Sequence, residues 1–271
     1  MKVGFLQTHP VFGQVEKNVD AVLRRLSRLG RGKADLMVLP ELFNTGYQFV
    51  SKKEARELAE EIPRGATARR LAEAAGDLGL WMVAGIAERK GKDIYNSAVL
   101  IGPRGHRATY RKIHLFYEEK RWFTPGREPF RVQAIKLRSG KKLRVGMMVC
   151  FDWIFPESVR SLALAGAELI AHPSNLVLPY CPQAMVTRCI ENRVFAVTAN
   201  RVGSERRGGK KRLGFIGQSE IVSPNGEILR RASSGKPGLG IVEIDLREAR
   251  RKTVTRFNHL FRDRRPGLYR G

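Results

Sequence analysis

Three side chains of this 271-residue chain sit at the ends of apolar, strand-like runs, where α/β proteins commonly place their chemistry. Cys150 closes "KLRVGMMVC" (142–150), and the chain changes character at once to "FDWIFPES". Pro156 and Glu157 suit the first turn of a helix. A nucleophile on such a strand-to-helix bend presents its side chain, while the backbone N–H groups that follow can face a developing oxyanion. A thiol with its ordinary pKa of about 8.5 is mostly protonated at neutral pH, so it needs a base or a positive charge nearby. The competing reading of Cys150 is a small buried hydrophobe.

Histidine is the usual partner of a thiol, yet the five here form no clear Cys–His pattern. His114 in "KIHLF" and His172 in "AHPSN" are the best placed, and each could equally be a hydrogen-bonded structural residue. Glu41 is a better base. It follows "LMVLP", where desolvation at the end of a buried strand raises a carboxyl pKa towards the useful range. Lys112, in "YRKIHLF", also ends a strand and precedes aromatic residues. Taken singly, Glu41 and Lys112 also read as ordinary surface charges.

These residues need elements to hold them. Val19, Val22, Leu23, Leu26 and Leu29 recur at helical spacing over 16–30, after a strand at 2–8. A buried strand is expected at 34–41, a helix at 67–79, a strand at 80–88, and a hairpin from 95–102 and 106–112 around "GPRG". The same order returns with a strand at 142–150, helices near 156–166 and 183–194, a strand at 167–174, a hairpin around "SPNG" (223–226) and a strand at 240–245. "ADLMVLPE" resembles "AELIAHPS", and "IGPRGHRATY" resembles "VSPNGEILRR" in its turn and flanks. Two similar halves, each giving a sheet, predict a four-layer α/β sandwich. No Ser/Gly-rich linker separates them, so residues 1–271 read as one domain, with 254–271 a basic arm lying on a neighbouring surface or another subunit.

Composition excludes some classes. No apolar run approaches the roughly 20 residues of a membrane helix, and the opening "MKVGFLQTHP" reads as a strand rather than a signal peptide. Three cysteines without metal-type spacing argue against a disulfide framework and for a reducing cytoplasm. The formal charge of +24 attracts polyanions, but the bases are spread along the chain and no nucleic-acid motif accompanies them. A solvated, arginine-rich surface is the simpler reading.

"LPELFNTGY", "YRKIHLFYEEKRWFTPG" and "VCFDWIFPES", in this order, resemble the three signature segments of the nitrilase (carbon–nitrogen hydrolase) superfamily, and the compact chain is similar to its small archaeal members. The likeness runs through "HPSNL" and "ENRVFAVTAN" and covers nearly the whole chain. It implies an αββα sandwich that pairs into homodimers through helices near the active site. It implies Cys150 as nucleophile, Glu41 as general base, Lys112 as oxyanion stabiliser, the Phe151 backbone N–H as a second oxyanion donor, and no metal or organic cofactor. Glu119 matches the family's second glutamate, with Glu118 the alternative register. The implied reaction is hydrolysis of a small amide or nitrile through a cysteine thioester. In the family, an aromatic residue and Asp after the cysteine, as in "CFDW", go with amidases and carbamoyl hydrolases, whereas Trp-Glu goes with nitrilases. Amide hydrolysis is therefore expected here, with nitrilase or N-carbamoyl amidohydrolase activity the alternatives. Tyr47, Trp153 and Asn175 are candidate pocket walls. A catalytically retired binding protein would belong to another class, but every catalytic position of the family is filled.

Overall fold

In the computed structural model, which describes residues 1–269, the first half of the chain runs β1 (Lys2–Gln7), α1 (Val15–Ser27), β2 (Leu36–Val38), α2 (Lys52–Leu58), α3 (Ala66–Leu78), β3 (Trp81–Lys90), β4 (Asp93–Gly102) and β5 (Gly105–Arg111). After the short α4 (Glu119–Trp122) come β6 (Val132–Lys136), β7 (Lys142–Met147), α5 (Pro156–Leu164), β8 (Leu169–Pro173), α6 (Cys181–Asn192) and β9 (Phe195–Ala199). A small ribbon of β10 (Ser204–Glu205) and β11 (Leu213–Gly214) precedes β12 (Glu220–Val222), β13 (Ile228–Arg231), β14 (Gly238–Glu243) and α7 (Leu246–Arg250).

Two six-stranded sheets result, ordered β14-β1-β2-β3-β4-β5 and β13-β12-β9-β8-β7-β6. Their orders match strand for strand. In each, three parallel strands joined by helical crossovers are followed by two antiparallel strands, and an antiparallel strand flanks the first of the three. "ADLMVLPE" and "AELIAHPS" thus supply the equivalent strands β2 and β8. The two similar turns join β4 to β5 and β12 to β13.

Both faces of the first sheet are buried, as its apolar runs require. Val3, Phe5, Leu36, Val38, Trp81 and Val83 join the core that also holds Val145, Met147, Ile170 and Val197 of the second sheet. Their alternates Leu6, Met37, Met82 and Ala84 pack with Val19, Val22 and Leu26 of α1 and Leu71 and Ala75 of α3. The architecture is the expected αββα sandwich. Gly79, left-handed at φ 65°, stops α3, and Pro156 opens α5.

The differences are local. β2 ends at Val38, not residue 41, and α1 ends at Ser27, because the chain turns earlier at both places. β3 forms its own hairpin with β4, and β14 crosses to the first sheet, pairing with β1. The apolar pattern around α2 and β6 was too weak to predict either. Beyond α7, Thr253 bridges to His259, and the Phe261 ring packs on the core beneath Arg160 and Lys252. Among the described residues, no helix is long and apolar enough to cross a membrane.

Candidate active site

Glu41 comes to lie at the end of β2 because β3 lets it approach. The Gly85 N–H donates to Pro40 O at 3.1 Å, and Gly85 O accepts from Phe43 N. A Cβ at Gly85 would stand 2.3 Å from the Glu41 Cα, so only glycine permits this approach. The Glu41 carboxylate is fully buried, and its Oε1 accepts from Asn96 Nδ2 on β4 at 2.6 Å and from Lys112 Nζ at 2.8 Å. Its Oε2 has no partner among the described residues.

Lys112 leaves β5 pinned at both backbone ends: its N–H donates to Asn96 O and its carbonyl accepts from Gly126 N, each at 2.8 Å. Its buried ammonium also donates to Glu119 Oε1 at 2.8 Å. Burial alone would lower the lysine pKa, but the Glu119 and Glu41 carboxylates more than reverse this and hold the ammonium charged. Glu119 in turn accepts from the Tyr47 hydroxyl at 2.7 Å and from the Phe116 N–H at 3.2 Å. Burial raises its carboxyl pKa, against the pull of Lys112. Of the two register choices, Glu119 meets Lys112, while Glu118 pairs with Lys210 and Arg121.

Cys150 opens a 3-10 turn (Cys150–Ile154) with φ of +42°, the left-handed region that non-glycine residues seldom occupy. Asp152 ties this turn down. Its Oδ2 accepts from the Val149 N–H at 2.8 Å and the Tyr110 hydroxyl at 2.7 Å, and its Oδ1 lies 2.7 Å from His114 Nδ1. Below the turn, His172 Nε2 donates to the Cys150 carbonyl at 2.9 Å, and Thr198 Oγ1 lies 3.1 Å from Nδ1. Burial lowers the His172 pKa to about 4, so the ring is neutral. Burial and the Glu41 charge push the thiol pKa up, while Lys112 and the Asn175 backbone N–H oppose them. Burial and the neighbouring carboxylates thus favour the thiol form of the sulfur.

The structure therefore brings Glu41, Lys112, Glu119 and Cys150 into one buried cluster, with Phe151 following the thiol. The two histidines hold its surroundings instead: His172 contacts the Cys150 carbonyl, and His114 contacts Asp152 and stacks 3.8 Å from the Phe155 ring. Trp153 and Asn175 line a small open pocket over Cys150, with Phe116, Phe151, Leu176, Val177 and Leu178. Tyr47 stands one step back, on Glu119. Asn96, Tyr110, the buried Arg201–Glu205 pair and the part Asp152 plays in holding the turn escaped the sequence reading. Glu205 accepts from the Tyr47 and Gln48 N–H groups and so fixes the loop carrying Tyr47. A lone Asn or Arg inside an apolar run was the only signal for Asn96 and Arg201.

An αββα sandwich with a buried Glu–Lys–Cys cluster matches a known class: a family model described as carbon–nitrogen hydrolase covers residues 2–252, and the chain belongs to that family. Its members hydrolyse non-peptide carbon–nitrogen bonds through a cysteine intermediate, and this chain is such a hydrolase. It is 47% identical to a protein named nitrilase from Pyrococcus abyssi, over 99% of each chain. It is 33% identical to an (R)-stereoselective amidase of a Pseudomonas species, over 98% of this chain and 92% of that one. A solved amidase from Nesterenkonia superposes with a TM-score of 0.79 at 28% identity, covering 99% of this chain and 94% of that chain. A mutant of that amidase, at 27% identity, TM-score 0.79 and coverage of 99% and 95%, carries the acetamide moiety of fluoroacetamide on its active-site cysteine.

Proposed function

We propose that Cys150 is the nucleophile of an amidase, with Glu41 as general base and acid and Lys112 and the Phe151 N–H as oxyanion donors. The observation that carries this reading is the single ammonium of Lys112 clamped between Glu41 and Glu119 in the buried cluster that holds Cys150. Glu41 takes the thiol proton as Sγ bonds to the amide carbon, and the carbonyl electron pair moves onto oxygen beside Lys112. Collapse breaks the C–N bond, and Glu41 returns the proton to departing ammonia. Water, deprotonated by Glu41, then attacks the thioester carbon and releases the carboxylic acid and the thiol. Glu119, held by Tyr47 and the Phe116 N–H, positions Lys112.

The aromatic-Asp pair after Cys150 and the amidase likeness support amides as substrates. The Pyrococcus relative named nitrilase, at 47% identity, favours nitriles as the second reading. Ammonia release from matched amides, carbamoyl compounds and nitriles, with Cys150→Ala alongside, tests both. Turnover of amides that Cys150→Ala abolishes is expected, whereas turnover of nitriles alone would replace the first reading by the second.

A single domain assembled as a cytoplasmic homodimer completes the proposal. The shared core between the sheets supports the first part. Exposed Ile154 beside the site, Leu164 on α5 and Ile190 on α6, with Val254, Phe257, Leu268 and Tyr269 on the arm, support the pairing. Sedimentation of a dimer checks it, and a monomer at micromolar concentration would refute it.

A further inference from the structure

Asn175 is held in an unusual state. Its side chain is 2% exposed, and neither amide atom has a hydrogen-bond partner among the described residues. The backbone on both sides is pinned: Ser174 N donates to Ala199 O at 2.8 Å, Leu176 N to Asn200 Oδ1 at 2.9 Å, and Leu176 O accepts from Ile216 N at 3.0 Å. The Asn175 N–H lies near enough to Cys150 to oppose the rise of its thiol pKa. The side chain is thus fixed beside the nucleophile, where it lines the pocket with Phe116, Phe151, Trp153, Leu176 and Leu178. Apart from the thiol and the Trp153 indole N–H, it is the only polar side chain among those lining residues.

A buried amide left without partners costs free energy unless something else satisfies it. The scissile group has its own partners: Lys112 and the Phe151 N–H for the oxygen, and the unpaired Glu41 Oε2 for the nitrogen protons. We infer that Asn175 recognises a second, neutral polar group in the acyl part of the substrate, one that both donates and accepts a hydrogen bond, such as a further carboxamide. Asn175 offers one donor-bearing nitrogen and one acceptor oxygen, which a carboxamide matches head to tail. A carboxylate would leave the Oδ1 acceptor unmatched and bring an ion against walls that are otherwise aromatic and aliphatic. An alkyl end would leave both atoms bare. The side chain stands among the residues that line the pocket with Cys150, so the group it meets must lie within a few bonds of the scissile carbonyl. The inference rests on the amidase reading and narrows its substrate class to short diamides and similarly ended amides.

The test compares malonamide and succinamide with their isosteres isovaleramide and 4-methylvaleramide and with the half-amides malonamate and succinamate. Wild type is expected to favour the diamides by about tenfold or more in kcat/KM, after correction for their two equivalent ends. Asn175→Leu should lower diamide kcat/KM by about ten- to hundredfold and lower that of the alkyl amides by a clearly smaller factor. Its melting temperature should hold or rise, since two unpaired atoms are removed, whereas a purely structural Asn would give a less stable variant. Asn175→Ala supplies the same comparison should Leu not fold. Binding of the same amides to Cys150→Ala, by calorimetry, reads the preference without turnover. Equal binding of diamides and alkyl amides, or an Asn175 variant that loses both classes alike, overturns the inference. Nitrile turnover with no amide turnover instead overturns the amidase reading, and the calorimetry then decides Asn175 separately.

Discussion

Replacing His172 by Leu should cost turnover rather than substrate affinity. Cys150 is held at φ +42°, a conformation costing a non-glycine residue about 1–3 kcal/mol, so something must hold it there. The 2.9 Å bond from His172 Nε2 to the Cys150 carbonyl is one such restraint, and Thr198 fixes the ring that makes it. Without the imidazole, a buried carbonyl loses its donor, a penalty of about 1–3 kcal/mol. Relaxing the turn to ordinary φ relieves both costs but moves the sulfur. If relaxation prevails by about 1.4–2.8 kcal/mol, the competent conformer falls about ten- to hundredfold. Steady-state kinetics should show kcat lower by that factor with KM nearly unchanged, and iodoacetamide should alkylate Cys150 more slowly in parallel. His172→Gln, whose amide can still donate to the carbonyl, should recover much of the loss. Wild-type kcat and alkylation in a folded His172→Leu would refute the argument, because another restraint would then hold the turn.

Lys112→Met should lower kcat by about a hundred- to thousandfold through loss of the oxyanion donor, and should destabilise the fold by leaving Glu41 and Glu119 buried without their cation. Kinetics and thermal melting read the two effects, and unaltered stability would contradict the role given to the clamp. Tyr47→Phe removes the hydroxyl bonded to Glu119 and should reduce kcat by about tenfold while sparing thiol alkylation; equal loss of both would place Tyr47 at the sulfur instead. The folded pKa of His172, about 4, lies below its ordinary 6.5, so the unfolded chain takes up a proton first as pH falls. Stability from this group is complete above about pH 6.5 and is lost between about 6.5 and 4, a loss that His172→Gln should abolish in melting curves. Glu220 behaves oppositely. Burial raises its pKa to about 7 despite Arg231, so its contribution is full below about pH 4.5 and lost as pH rises through 7. Glu220→Gln should therefore melt higher than wild type at pH 8 and about equally at pH 5, and a lower melt at pH 8 would show the Arg231 ion pair to be the larger effect.

What the sequence made legible was what a strand's end can show. Glu41, Lys112 and Cys150 each stand where an apolar run stops, and a change from apolar to charged or polar is visible in one dimension. The halves were legible too, because β2 and β8 keep similar apolar strings and the β4–β5 and β12–β13 turns keep Pro and Gly. Asn96 was hidden because its task depends on pairing β4 against β3, which puts it under Glu41 at a separation of 55 residues. His172 was ambiguous for a related reason. Its three-dimensional partner is a backbone carbonyl, and no side-chain pattern records that. α2 and β6 lie where few apolar residues repeat, so tertiary contact rather than propensity fixes them.

The cluster's charge count explains why two glutamates accompany one lysine. Lys112 carries one positive charge, and Glu41 and Glu119 together bring two potential negative ones into a site from which water is excluded. Lys112 and Glu119 can neutralise each other as a standing pair, which leaves Glu41 free to gain a proton without stranding the ammonium. In the mechanism we propose, Glu41 takes the thiol proton, yet its negative charge does not vanish. It moves to the oxygen of the tetrahedral intermediate, which lies beside the same ammonium. The attack therefore relocates one charge by a few ångströms within a preorganised field and creates no new ion in a poorly solvating interior. A neutral resting thiol, raised by burial and by Glu41, is what this scheme needs, since a standing thiolate would put a third anion on one lysine.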